Sequence, residues 1–564
     1  GSGKTLSAFL AGLDLLWRAP RRAAGVQILY VSPLKALNED VRRNLQAPLD
    51  GILAESEEMD EPLRALSVAV RSGDTPSSER ARIARKPPEI LITTPESLHL
   101  MLTCGAREVL RNVTHVIVDE IHAVCGNKRG VFLALLLERL EALGARSFVR
   151  IGLSATQRPL DEVARYLGGD RPVTIIDAGG RKPIDLRVIW PQGGQAPALG
   201  GPGTIWPAIE DRILGLVENH RSTIVFANSR RTVEKLTAKL NELVENNVEG
   251  AAADEPTAPA FRAHHGSLSL DERRATEEML KNADLRAVVT TASLELGIDM
   301  GEVDLVCQVE SPGNVARGLQ RVGRSGHLVG GVSKGRFLAK TPADLLETAA
   351  LARAMLAGDV EPLRVPRNCL DVLAQQVVAC VAMDAWHAPA LFDLIRRAYP
   401  FRDLSADAFE RVLLLVSGRY PTGSLRDLRA RIVWDRVHNR LAPLPGTARL
   451  ALVGGGTIPD LGHYPVYLGE GGPRLGELDE EFVFERRVGE SFMLGNNTWR
   501  IDAIDVHRMI VSPAHGGQAV TPFWRGETSP RSLELGEAVG VLTREIVARL
   551  DDPSLPDWLE AECR

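Results

Sequence analysis

Val116-Ile117-Val118-Asp119-Glu120-Ile121-His122 is the stretch from which the fold can be read. Three β-branched residues form a short apolar run, and two acids follow at its end. Such a run reads as a buried strand. Adjacent carboxylates at its terminus are either a solvated strand end or a site where one acid holds Mg²⁺ through water and the other polarises an attacking water. Working outward, similar runs recur at residues 26–32, 89–94 and 149–154, and amphipathic stretches at 34–50 and 130–143 lie between them. Strand, helix, strand with polar residues gathered at strand ends is the pattern of a doubly wound parallel α/β sheet.

A Gly- and Pro-rich passage, 178–207, interrupts the periodicity before a second such series begins with a helix at 208–219 and strands at 222–227, 287–291 and 305–310. Within it, 248–260 is rich in Ala, Asp, Glu and Pro and reads as a mobile, dispensable insertion. From Asp344 the sequence predicts helices at 345–357, 370–385, 389–398 and 406–417 and a strand at 431–434, a winged-helix pattern. Beyond Gly446, short strands at 448–453, 482–484, 491–494, 498–504 and 509–512 predict a β-rich, barrel-like or sandwich module with a helical tail. The expected boundaries are 1–180, 181–342, 343–445 and 446–564.

Composition narrows the function classes. The 564 residues are 44% hydrophobic and 25% charged, as in ordinary globular proteins. No apolar stretch approaches the roughly 20 residues of a membrane span. The formal charge of −6 announces no nucleic-acid partner, so any such binding must be local. Six scattered cysteines without CxxC pairs read as reduced thiols of a cytoplasmic protein. There is no initiator Met, and the reading is that the natural N-terminus lies upstream.

Gly1-Ser2-Gly3-Lys4-Thr5 matches the second half of a phosphate loop, in which Lys neutralises phosphates and Thr ligates Mg²⁺; taken alone it is equally a flexible Gly-Ser leader. Ser154-Ala155-Thr156 by itself is a helix cap. Gln320-Arg321-Val322-Gly323-Arg324-Ser325-Gly326-His327 sets two arginines three apart, on one helical face, where forked guanidinium groups suit phosphate.

Taken in order, these strings resemble the motor core of superfamily II helicases, and their wording resembles the large helicase-related (Lhr) family. The resemblance runs nearly end to end. It implies two RecA-like doubly wound parallel-sheet domains with ATP between them, then a helical winged-helix domain and a β-rich domain. It also implies that Gly1, Ser2, Gly3, Lys4 and Thr5 bind triphosphate, that Thr5 and Asp119 hold Mg²⁺, and that Glu120 is the general base. His122 and the 154–156 triplet would couple the nucleotide to the nucleic acid, Gly297 and Asp299 would stand on the nucleotide side, and Gln320, Arg321 and Arg324 would form the set whose arginines sense the γ-phosphate. The single strand would be tracked by Pro33, Lys35, Thr94, Pro95, Ser229, Arg230, His265, Gly266, Thr291 and Ser293.

The expected function is an ATP-dependent 3′-to-5′ single-stranded-DNA translocase and helicase that unwinds DNA or RNA:DNA hybrids in repair, with polarity and hybrid preference implied by the resemblance. An RNA-remodelling helicase and an ATPase-dead nucleic-acid scaffold are the alternatives. In the β-rich module, Trp524 lies between Pro522 and Gly526 beside Arg525 and reads as a loop residue that stacks on a base, with Ile458 as a duplex wedge. Trp499, in an alternating strand, reads as core.

Overall fold

The computed structural model describes residues 3–18, 25–33, 35–144, 146–155, 157–177, 182–191, 205–247, 260–295, 303–326, 331–419, 429–456, 463–479, 482–483, 485–505, 508–514, 519–524 and 531–563. The chain forms two compact units, Ser2–Ala178 with Pro362–Ile458, and Gly179–Glu361 with Pro459–Arg564. Of the expected insertion 248–260, residues 248–259 lie outside the described residues. Among the described residues, no helix is long and apolar enough to cross a membrane.

In the first unit, strands β1 (Ile28–Val31), β2 (Val68–Arg71), β3 (Ile90–Thr93), β4 (His115–Val118) and β5 (Val149–Gly152) form a parallel sheet in the order β2-β3-β1-β4-β5. β1, β3 and β4 are buried along their whole length, which is why they read as unbroken apolar runs. The helix Lys128–Leu143 starts where the Asn127 side chain accepts the Arg129 and Gly130 N–H groups. Expected to be amphipathic, it is instead buried on nearly every face, Glu138, Arg139 and Glu141 included. The reason is a second layer: Leu373, Val377, Leu391 and Ile395 of the winged-helix region share one core with Phe132, Leu136 and Leu140. The buried charges are paired or hydrogen-bonded, as burial demands. Arg150 bonds Glu138 at 2.8 Å and Glu141 at 2.7 Å, and Arg139 donates to Gln376 at 2.8 Å.

The winged-helix region holds helices Leu370–Met383, Ala388–Arg397 and Ala406–Val416 and a small antiparallel sheet of β12 (Trp386–His387), β13 (Ile432–Asp435) and β14 (Arg440–Pro443), ordered β12-β14-β13. The expected strand at 448–453 is the helix Thr447–Val453. Ala and Leu are strong helix formers, and Gly446, at φ +90°, turns the chain into it.

In the second unit, β6 (Ile184–Ile189), β7 (Thr223–Phe226), β8 (Phe261–His264), β9 (Ala287–Thr290), β10 (Leu305–Val309) and β11 (Ser333–Leu338) form a second parallel sheet, ordered β6-β11-β10-β7-β9-β8. β6 lies within the passage read as an interruption; as a half-exposed edge strand it carries no apolar run. The helix Pro342–Ala357, expected to open the winged-helix region, packs through Leu351 and Met355 onto this sheet and onto the C-terminal helices Leu533–Val547 and Leu555–Cys563.

The β-rich module is one curled six-stranded mixed sheet of β15 (His463–Leu468), β16 (Arg474–Asp479), β17 (Ser491–Leu494), β18 (Asn497–Ile504), β19 (Met509–Pro513) and β20 (Ala519–Val520), ordered β16-β15-β19-β18-β17-β20. Phe482 and Val483 are helical rather than a strand. The β16 edge is covered by the second α/β domain: Glu477 N–H donates to Ser267 O and Ser269 N–H to Leu475 O, both at 2.8 Å. A Cβ on Gly476 would come within 2.1 Å of Ser267 O, so this close approach requires glycine. Covering an edge in this way removes a template for unwanted strand pairing.

Candidate functional site

Gly3 takes φ +71° just before the helix Lys4–Arg18, whose first turn carries Thr5. A helix N-terminus of this kind offers unpaired N–H groups and a positive dipole end to phosphate. Lys4 Nζ donates to Ser154 O at 3.0 Å, so the lysine and the 154–156 triplet meet. Gly1, Ser2 and Thr156 lie outside the described residues.

Asp119 follows β4, and both of its oxygens are engaged. Tyr30 Oη donates to Oδ2, and the Glu120 N–H donates to Oδ1 at 2.8 Å. Burial pushes the Asp119 carboxyl above its ordinary range, and the Tyr30 hydrogen bond opposes that rise. Tyr30 itself, buried and beside Asp119, is pushed far up and stays a neutral donor. Sequence reasoning missed Tyr30, although its hydroxyl is the one polar side-chain group in the otherwise aliphatic β1 run.

Glu120 adopts φ +44°, a left-handed conformation that strains a non-glycine residue by roughly 1–3 kcal/mol. The turn sets its carboxylate 3.4 Å from the buried His122 Nε2, while His122 Nδ1 accepts the Ala155 N–H at 3.2 Å. One imidazole therefore touches both the second acid and the 154–156 segment.

Ser32 is buried, and its N–H donates to Thr93 O. Thr94 is buried as well, and its hydroxyl accepts the Ser97 N–H at the start of the helix Pro95–Leu102, with Pro95 in the first helical position. Pro33 is buried at its own strand end, and Lys35 opens the helix Lys35–Glu58.

In the second unit, the two arginines do not share a helical face. The helix Val315–Val322 ends at Gly323, and Arg324 falls in the following turn. Arg321 is 3% exposed and fully committed: Nε donates to Glu295 Oε1 at 2.6 Å, and Nη1 to Gln308 at 2.7 Å and Asn228 at 3.2 Å. Its guanidinium also lies over the Phe226 ring at 5.1 Å. In this conformation the charge expected to sense phosphate is held inside the domain by Glu295, with Gln308 and Asn228 beside it. Arg324 is half-buried, and Gln320 is half-buried on the preceding helix. Gly297, Asp299 and His327 lie outside the described residues.

Ser229 Oγ accepts the Thr232 N–H, and the Arg230 Nη1 donates to Ser267 Oγ at 2.5 Å. Gly266 is exposed, whereas the His265 imidazole is fully enclosed and bonded to Glu234 at 2.7 Å. A direct phosphate contact by that ring is therefore ruled out for this conformation. Thr291 and Ser293 are half-exposed, and Ser293 Oγ bonds His264 Nδ1 at 2.8 Å. Trp524 is 7% exposed rather than displayed on a loop, seated on His265 and Arg230. Trp499 is core, with Nε1 donating to Leu494 O at 3.1 Å. Arg525 and Ile458 lie outside the described residues.

Two parallel sheets carrying these strings at their strand ends define a superfamily II helicase core. The models of the DEAD/DEAH box helicase and the helicase conserved C-terminal domain match residues 1–163 and 208–328, and the large helicase-related protein winged helix domain matches 353–521. The Lhr helicase/uracil glycosylase of Escherichia coli (strain K12) is 48% identical across all of this chain, which spans 39% of that protein. An ATP-dependent helicase Lhr-Core of Methanothermobacter thermautotrophicus is 40% identical over 95% of the chain, which spans 62% of it. A solved structure of the Mycobacterium smegmatis helicase Lhr bound to ssDNA and AMP-PNP is 47% identical, with TM-score 0.79 over 97% of this chain and 64% of that one. The chain belongs to the Lhr family, and it spans less than two thirds of the length of these relatives.

Proposed function

We propose that this chain is the motor of an ATP-dependent helicase that moves 3′-to-5′ along single-stranded DNA and separates DNA or RNA:DNA duplexes, with repair as its setting. The observation that carries the reading is the connected set Asp119, Glu120, His122 and Ala155, which ties a strained acid to a second strand end through one buried imidazole. Support comes from the M. smegmatis relative, whose structure holds ssDNA and AMP-PNP.

Lys4 and the first turn of its helix would bind the triphosphate, and Thr5 and Asp119 fit Mg²⁺. Among the described residues, no cluster of three His, Cys, Asp or Glu side chains could hold a metal alone. That suits Mg²⁺, which is commonly held by one or two protein groups together with phosphates and water. The ion neutralises charge on the phosphates when bound. Glu120 orients and deprotonates the attacking water, and the left-handed backbone keeps its carboxylate turned toward His122. Arg324, half-buried in the turn after the helix Val315–Val322, would meet the terminal phosphate. On the tracking side, exposed Gly266 and the half-exposed Thr291 and Ser293 grip the backbone without reading bases. Trp524 would stack on a base with the surface that His265 and Arg230 leave exposed, and Ile458 would separate the duplex.

The test is ATP turnover with and without single strands, together with displacement of duplexes that offer matched DNA or RNA tracking strands. Glu120→Gln should retain ATP binding and lose most turnover, because an amide cannot take the proton. Parental turnover in that variant would remove Glu120 as base. Strand binding without any turnover in the parent would leave the scaffold reading, and displacement confined to RNA tracks would leave the RNA-remodelling one.

A further inference from the structure

The Glu234 and His265 side chains are both 0% exposed, and phosphate chemistry uses neither. Glu234 stands on the helix Arg230–Asn247, and its Oε1 accepts two bonds: from His265 Nε2–H at 2.7 Å and from the Gly495 N–H at 2.8 Å, in the turn between β17 and β18. One carboxylate oxygen thus ties the α/β domain to the β-rich sheet.

The imidazole meets the Trp524 indole edge to face, with ring centres 5.5 Å apart at 61°. The Arg230 guanidinium lies over the same indole at 5.5 Å while holding Ser267 Oγ. On the other side of the chain, neighbouring His264 bonds Ser293, at the strand end proposed to grip phosphate. Aromatic seat and strand grip are therefore adjacent residues of one segment.

Three buried polar atoms in this cluster have no hydrogen-bond partner among the described residues: His265 Nδ1, Trp524 Nε1 and Glu234 Oε2. The bond to Glu234 occupies Nε2 and leaves Nδ1 as the ring's second nitrogen, and the indole N–H is a donor. Buried groups of this kind are few in native proteins, and they mark a cluster whose polar capacity its own side chains do not use up.

We propose that Glu234 and His265 are a positioning pair: they set the Trp524 indole for base stacking and pass strand engagement through the end of β8 to Ser293. The inference rests on the reading of Trp524 as the stacking side chain. The pair acts through Trp524 and touches neither nucleotide nor strand.

The test is strand-stimulated ATPase of the full chain, titrated with oligo(dT), for Trp524→Ala, His265→Ala and the double variant. Each single change should raise the oligonucleotide concentration at half-maximal rate about tenfold, the ratio of ~1.4 kcal/mol and within the range for one stacked base. The rate at saturating strand should fall much less than that. The double variant should match Trp524→Ala alone, since both remove one interaction. His265→Gln, which keeps an N–H for Glu234, should recover most of the loss. The oligo(dT)-induced change in tryptophan emission should vanish in Trp524→Phe and shrink in His265→Ala. A parental midpoint in His265→Ala, or additive losses in the double variant, would overturn the proposal while leaving Trp524 on the track. A parental midpoint in Trp524→Ala would remove the stacking reading, and the pair's role with it. If His265→Ala does not fold, Glu234→Gln carries the same comparison.

Discussion

Arg321→Ala should destabilise the second motor domain, whereas Arg324→Ala should cripple turnover in a folded protein. Arg321 is the hub of a buried network. Removing it leaves the Glu295 carboxylate, among the described residues, with Arg317 3.7 Å away, and takes partners from Gln308 and Asn228. Breaking a buried pair by deleting one partner costs about 3–5 kcal/mol. Arg317 offsets part of this, so the lower end applies, about 3 kcal/mol. For a domain of this size each kcal/mol moves the midpoint by about 2–4 °C, which gives a drop of roughly 6–12 °C. Arg321→Lys should recover less than half, because an ammonium cannot reproduce the fork that reaches Glu295 and Gln308 together. The assay is thermal melting of the full chain beside ATP turnover. Arg324→Ala should melt within about 2 °C of the parent and lose roughly 10³-fold in turnover, the scale of an arginine finger. An Arg321→Ala protein that melts like the parent but has lost turnover would show that Arg321 leaves its network to act on phosphate, and the reasoning would fail.

Tyr30→Phe removes a donor to the Asp119 carboxylate, so that carboxyl should rise further. Activity should then fail at a higher pH on the acid side, with more Mg²⁺ needed for half-maximal rate, and an unshifted acid limb would separate Tyr30 from Asp119. His99 is pressed by burial, then by Arg139, down to about 4, while its Nε2–H donates to Ala451 O at 3.1 Å. The folded value lies below the unfolded one of about 6.5, so the unfolded chain binds the proton first, and stability is lost as pH falls from about 6.5 to 4. Melting should be flat for this group above pH 7 and decline below it, and His99→Gln should flatten that decline.

The parallel sheets were legible because β1, β3, β4 and β7 are buried on both faces and read as apolar runs. β2, β6 and β11 were not, since each has half-exposed or exposed positions that break the run. Asp119, Glu120 and His122 were legible because their spacing is set by the end of β4, and Lys4 because it opens a helix directly after glycine. The state of Arg321 was not, because its partner Glu295 is 26 residues away in sequence and Gln308 sits inside a buried strand. Flanking Pro and Gly marked Trp524 as a loop residue, and residues 521–524 are neither helix nor strand. Its burial is imposed by His265 and Arg230, some 250 residues upstream and more, which no local pattern records.

The two units alternate along the chain, Ser2–Ala178 completed by Pro362–Ile458 and Gly179–Glu361 by Pro459–Arg564. Synthesis therefore delivers both motor sheets before either has its cover. The outer face of Lys128–Leu143 waits for the winged helix, and the rim at Ser267 waits for β16. At about 5–20 residues per second, the roughly 100 residues between the end of the second sheet domain and its β-rich partner keep that surface uncovered for some 5–20 s on the ribosome. No single cut of the polypeptide can release one unit whole.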